Sequence, residues 1–210
     1  NNDDGTISLD EIENAIRDEN VHYPRTSLIS LENTHNMCYG TPLTPNYTNS
    51  VKKIATAYNL PIHIDGARIF NSAISQNIDA SDLVTSADSI TFCLSKGLSA
   101  PIGSMLCGTK KFIKEARRIR KALGGGMRQA GIIAAAGLCS MDQFTKQIID
   151  DHNNARNLAE GLCEINGVNV DLEKISTNII YFSINQNVMS GKELVRLMYS
   201  HDVKFFENVN

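Results

Sequence analysis

Pro61-Ile62-His63-Ile64-Asp65-Gly66-Ala67-Arg68 and Ser89-Ile90-Thr91-Phe92-Cys93-Leu94-Ser95-Lys96-Gly97 are the stretches that decide the fold. Each starts as a short apolar run of strand length and ends in a charged side chain followed by glycine. Pro61 stops the helical pattern before it and opens a strand over 62–65. Asp65 closes that strand, and Gly66 lets the backbone turn tightly. The second stretch predicts a strand over 89–94 that Lys96 ends, with Gly97 permitting close approach of another group. Between the two, residues 67–74 predict a helix and 81–86 a shorter one. Helices between strands imply crossover connections and therefore a mainly parallel sheet. In such a sheet ligands sit at the carboxyl ends of the strands. A carboxylate and an amine are thus expected at one edge.

The same alternation extends outward. Residues 27–32 read as a buried strand, and Ser8-Leu9-Asp10-Glu11 is a capping box ahead of Ile12, Ala15 and Ile16, predicting a helix over 9–18. Val51, Ile54, Ala55 and Tyr58 recur at helical spacing and predict a helix over 46–59. Beyond Lys96 come a strand over 103–107 and a basic amphipathic helix over 110–123. A glycine run at 124–126 and a long helical stretch over 129–165 follow. After Gly167 the pattern predicts a strand over 178–184, a helix opened by the Ser190–Glu193 capping box and running to 201, and a strand over 203–206. That is a β-α-β unit of a small second domain. The expected division is a large α/β domain over 1–150 and the start of a small one over 151–210.

Composition narrows the partners. With 42% hydrophobic and 20% charged residues among 210, the chain has the make-up of an ordinary globular protein. A net charge of −3 with scattered Lys and Arg leaves no electrostatic footprint for nucleic acid or an anionic membrane, so the expected partner is a small molecule. The longest apolar stretch, Ile132 to Met141, is too short to span a bilayer. Cys38, Cys93, Cys107, Cys139 and Cys163 are odd in number and contain no CxxC pair, which favours free thiols, a reducing compartment and a cytoplasmic location. The chain opens at Asn1 without an initiator Met or a basic-then-apolar leader, so we expect no secretory signal and a missing true start.

Chemistry follows from the shared edge. A desolvated lysine loses its proton readily, and the neutral amine attacks an aldehyde to give a Schiff base. Pyridoxal phosphate (PLP) needs in addition an acid at its pyridine nitrogen, because the protonated ring is the electron sink for a carbanion. Lys96 and Asp65 suit these two roles. On spacing alone the pair reads equally as a structural ion pair.

Four separated segments bear on that choice: Leu31-Glu32-Asn33-Thr34-His35-Asn36, His63 to Arg68, Leu94 to Ser104, and Gly124-Gly125-Gly126-Met127-Arg128-Gln129-Ala130-Gly131. In this order they resemble the threonine aldolases, and the rest of the chain is compatible with that family. The resemblance implies an aminotransferase-like, fold-type I PLP enzyme that cleaves L-threonine or L-allo-threonine to glycine and acetaldehyde, acting as a homodimer or homotetramer. It implies that Lys96 carries the cofactor, Asp65 faces the pyridine nitrogen, and Arg68 donates near the phenolate oxygen. Arg68 could instead cap a helix or pair at the surface. Arg128 would grip the phosphate across a subunit boundary, the alternative being an exposed arginine on a glycine loop. Ser95 would donate to the phosphate, or else bond its own backbone. His22 resembles the histidine that contacts the substrate hydroxyl, and an imidazole is a sensible base or orienter for the proton lost there. His35 lies within a family motif, and His63 reads as packing on the face opposite Ile62 and Ile64.

Relatives carry a preceding Gly-Thr phosphate loop and a histidine that stacks on the ring, and a later arginine for the substrate carboxylate. The chain therefore reads as a fragment, expected to turn over threonine poorly by itself. Two rival readings stay open. Asp65 and Lys96 would serve a β-eliminating lyase or an aminotransferase equally well. Asn2, Asp4, Gly5, Thr6, Ile7, Ser8 and Glu11 match positions of an EF-hand loop, which makes a calcium-binding module the non-enzyme alternative.

Overall fold

The structure is a computed structural model and describes residues 2–207. Its main sheet has four strands: β1 (Ile29–Glu32), β2 (Ile62–Asp65), β3 (Ser89–Cys93) and β4 (Ser104–Gly108), in that spatial order. β1, β2 and β3 are parallel, with Glu32 opposite Asp65 and Asp65 opposite Thr91. β4 runs antiparallel to β3, Cys93 facing Ser104. The reason is local. No helix lies between β3 and β4, and the Leu94 amide donates to the Gly103 carbonyl at 2.9 Å, folding the link back on itself.

Strand alternation splits the sheet into two unlike faces. Ile29, Leu31, Ile62 and Ile64 are buried on one of them, against Ile12 of α1 (Leu9–Asn14) and Val51 and Ala55 of α2 (Pro45–Ala57). Farther along, Ile69 and Ala73 of α3 (Ile69–Gln76), with Leu83, pack on Ile90 and Phe92. Each fully buried isoleucine in this layer contributes roughly 1.5–3 kcal/mol. The other face carries Ser30, Glu32, His63, Asp65, Ser89 and Thr91. There His63 Nδ1 and Ser89 Oγ lie 2.8 Å apart, so His63 makes a cross-strand polar contact rather than apolar packing.

α1 ends at Asn14, four residues short of the predicted 18, because Arg17 is drawn off to donate its amide to Thr26 Oγ1 at 3.1 Å. α4 (Lys110–Ala122) is capped by the Thr109 hydroxyl, and α5 (Gly131–Cys163) runs 33 residues after the turn at Gly124, where φ is +87° and glycine is favoured. Through Ile148, α5 packs on Leu94, Leu98 and Ala100.

The last part departs from the sequence pattern. β5 (Val168–Val170), which the pattern did not predict, pairs antiparallel with β6 (Phe182–Ile184). The strand predicted over 178–184 shortens because residues 176–178 are tied elsewhere: Ser75 Oγ donates to the Ser176 carbonyl at 2.6 Å, and Thr177 Oγ1 to the Gly40 carbonyl at 3.1 Å. α6 (Gly191–Tyr199) begins at the Ser190 cap, where the hydroxyl accepts from Glu193 N at 3.3 Å. The strand predicted over 203–206 does not form. The Val203 amide instead closes the end of α6 by donating to the Met198 carbonyl at 3.0 Å, and Phe206 is exposed. An antiparallel pair with a helix therefore replaces the expected β-α-β unit.

Candidate active site

Because β1, β2 and β3 are parallel, their carboxyl ends share an edge, and the edge carries Glu32, Asp65 and the link from Leu94 to Gly103. The Asp65 carboxylate accepts from the Ala67 amide at 3.0 Å, a turn that Gly66 makes possible: a Cβ there would stand 2.9 Å from Ile90 Cδ1 and 3.0 Å from the Thr91 carbonyl. The Ala67 carbonyl accepts from Cys93 N at 3.4 Å, so the turn after β2 is bound directly to the end of β3.

Lys96 lies three residues beyond β3, in a loop and not at the strand end itself. Its carbonyl accepts from Ser99 N at 2.8 Å, Ala100 N bonds the Leu94 carbonyl at 3.0 Å, and Leu94, Leu98 and Ala100 are buried. The loop is thus anchored on both sides of an exposed Lys96. Among the described residues no ion pair joins Lys96 to Asp65, and neither is paired with another charge. The structural ion pair is not what these residues form. An acid and an amine thus stand on adjacent segments of one edge, both accessible to solvent.

Arg68 is the N-cap residue of α3, but its side chain makes no capping hydrogen bond. Its charge is felt at Tyr181, whose hydroxyl donates to the Asn36 carbonyl at 3.0 Å. Burial pushes the Tyr181 pKa up, with Cys38 and Tyr39 adding to the rise and Arg68 opposing it. A cavity of about 270 Å³ at the same edge is lined by Gly5, Ile7, Ser30, Glu32, His35 and Asp65. His35 Nδ1 accepts from Met37 N at 3.0 Å, which leaves Nε2 to carry the proton and face Glu32 Oε2 at 3.4 Å. Glu32 escaped the sequence reading as a site residue, although its register opposite Asp65 follows from pairing two strands that end together.

Other predicted residues stand apart from this group. Ser95 is exposed beside Lys96, with no side-chain hydrogen bond among the described residues. His22 is exposed on the turn before β1, where its backbone is engaged, Asn20 Oδ1 accepting from His22 N at 2.9 Å. Arg128 is exposed in the link between α4 and α5, three residues before the helix starts. Among the described residues neither His22 nor Arg128 contacts Asp65, Arg68 or Lys96 through a hydrogen bond or ion pair. In the EF-hand stretch, Asp4 Oδ1 turns back on Thr6 N at 3.0 Å and Ser8 Oγ caps α1. No group of three or more His, Cys, Asp or Glu side chains that could hold a metal gathers among the described residues.

A family model described as Beta-eliminating lyase matches residues 1–185. The chain belongs to the beta-eliminating lyase family. Among curated members similar to it, the probable low-specificity L-threonine aldolase 2 of Arabidopsis thaliana is 44% identical over 195 residues, which cover 92% of this chain and 55% of that protein. The low specificity L-threonine aldolase of Escherichia coli K12 is 40% identical over 183 residues, 87% of this chain and 53% of that one. The chain therefore spans about half the length of the curated relatives it matches. A putative L-allo-threonine aldolase from Listeria monocytogenes superposes with a TM-score of 0.71 at 20% identity, over 84% of this chain and 47% of its own. A PLP-dependent aminotransferase from Streptococcus suis gives 0.70 at 17% identity, over 94% and 51%. Those two likenesses are of fold, and they make this family member aminotransferase-like, as the mainly parallel sheet implies.

Proposed function

We propose that the chain carries the cofactor-binding half of a PLP-dependent aldolase, and that the whole protein cleaves L-threonine or L-allo-threonine to glycine and acetaldehyde. The observation that supports this best is the unpaired acid and amine at one sheet edge, in a chain 40–44% identical to proteins named threonine aldolases. The fit to PLP is chemical. Lys96 would hold the aldehyde, Asp65 the pyridine nitrogen, Arg68 the phenolate oxygen, and Ser95 and Arg128 the phosphate. When bound, PLP would supply an electron sink next to the substrate α-carbon.

The protein's own groups have separate tasks. Asp65, held by the Ala67 amide, would offer its remaining carboxylate oxygen to the pyridine nitrogen and favour a proton there. Lys96, anchored by its loop, would present its amine to the cofactor aldehyde and hold it there. Removal of the hydroxyl proton as the Cα–Cβ bond breaks would fall to His22, to a water or to another histidine. A role for Arg128 from across a subunit boundary goes with a homodimer or homotetramer and with its having no hydrogen-bond or ion-pair partner among the described residues. We further propose residues 1–150 as the large domain and 151–210 as the start of the small one, in line with the two separate sheets. No helix among the described residues is long and apolar enough to cross a membrane, and all five cysteines are free, in keeping with a cytoplasmic setting.

Elimination chemistry is the second reading, because the family name includes it and a related structure from Exiguobacterium bears both names. The full-length protein loaded with PLP separates them. Glycine and acetaldehyde released from L-allo-threonine support the aldolase, whereas ammonia and a keto acid released from serine, without glycine from threonine, would replace it with the lyase.

A further inference from the structure

Gly97, next to Lys96, lies over a polar cluster that the catalytic proposal leaves unused. A Cβ built at Gly97 would stand 2.9 Å from Oδ1 of Asn71. Asn71, on α3, is 1% exposed. Its Nδ2 donates in two directions: to Nε2 of His152 on α5 at 3.1 Å, and to Oδ1 of Asn178 at 3.3 Å. His152 Nε2 must be unprotonated to accept, so its proton sits on Nδ1. Burial favours that neutral form, and the neighbouring Asp151 opposes it. His152 follows Ile148 by four residues on the same helix face, and Ile148 is the fully buried residue against which Leu94, Leu98 and Ala100 pack. The Lys96 loop therefore rests on α5 through apolar anchors and on α3 through one buried amide.

A buried amide in this position is costly unless its partners are met, and an apolar side chain of similar size would fill the space without that demand. What the amide adds is direction. It ties three segments, α3, α5 and the approach to β6, to one point directly beneath Gly97.

Resting on the PLP reading above, we infer that Asn71, oriented by His152 and Asn178, is a positioning residue that fixes the height of the Lys96 loop and so the approach of its amine to the cofactor aldehyde. It acts through Gly97 and touches no reacting atom.

The test uses the full-length protein. Limited trypsin digestion without added PLP reports opening of the Lys96–Gly97 bond, since cleavage follows the population of locally open loop. Asn71→Leu should raise cleavage at that bond by about tenfold relative to cleavage at other lysines in the same digest. His152→Leu should do the same, while His152→Gln, which keeps an acceptor, stays near wild type. Gly97→Ala displaces the amide from above and provides a second route should Asn71→Leu not fold. When PLP is added to the protein freed of it, Asn71→Leu and His152→Leu should slow appearance of the Schiff-base absorbance without shifting its final wavelength. Wild-type cleavage rates at Lys96 in folded Asn71→Leu, or in Gly97→Ala if that variant alone folds, would overturn the inference. So would equal effects of His152→Gln and His152→Leu. Absence of PLP on Lys96 in the wild-type protein would instead remove the cofactor reading, while the digestion continued to test the loop.

Discussion

The Asp65 carboxylate accepts a hydrogen bond from the Ala67 amide at 3.0 Å, and the Ala67 carbonyl in turn accepts from Cys93 at 3.4 Å. One carboxylate oxygen thus shapes the turn that binds the end of β2 to the end of β3, and the other has no hydrogen-bond partner among the described residues. Asp65→Asn keeps an acceptor for Ala67 but removes the charge. Stability should change by less than about 1 kcal/mol, whereas turnover of threonine by the full-length holoenzyme should fall by at least about 100-fold. Urea melts and steady-state rates on the same sample check both halves.

Gly66 has no room for a side chain between Ile90, Ile69 and the Thr91 carbonyl. Gly66→Ala should destabilise the protein by about 1–3 kcal/mol through overpacking and displace Asp65 as it does so. A variant with a wild-type denaturation midpoint would show that the turn yields more easily than its contacts imply.

Ile64 sits at the centre of the apolar face with no exposed area. Ile64→Ala should cost about 2–5 kcal/mol, the larger part from the cavity left between β2 and α2. Chemical denaturation of the full-length protein measures it directly.

Asp88 Oδ2 accepts from the Ile62 amide at 2.8 Å and faces Lys52 Nζ at 3.0 Å, joining the start of β2 to α2 and β3. The Ile62 amide holds its pKa below the ordinary carboxylate value, burial opposes, and Lys52 assists. A folded-state pKa lower than the unfolded one gives stability that is complete above about pH 4 and is lost as pH falls through the folded value. Asp88→Asn should therefore be less stable than wild type at neutral pH, by about 0.5–1 kcal/mol given the half-exposed ion pair. Denaturation midpoints of the two proteins should converge as pH falls through the lowered folded-state pKa of Asp88. A gap that widened in acid would contradict the assignment.

Much of the fold could be read from the chain because its strands are short, apolar and bounded by strong turn residues. β2 occupies 62–65 as predicted, since Pro61 and Gly66 mark both ends. β4 reversed direction because a ten-residue link without a helix cannot cross over, a constraint that strand patterning alone does not express. Residues 203–206 have the composition of a strand, yet they find no partner edge among the described residues, and pairing decides a strand more than propensity does. Asp65 was legible as the last residue of β2, whereas Lys96 lies in the loop three residues past β3 and not at the strand end the pattern implied. Asn71, His152 and Asn178 were not, because they meet across separations of 81 and 107 residues that no local pattern encodes.

Borohydride reduction of the PLP-loaded full-length protein, followed by peptide mapping, is the most direct test of the central claim. The account predicts a single pyridoxyl label on Lys96, abolished by Lys96→Ala. A label on any other lysine, with Lys96 unmodified, would contradict it.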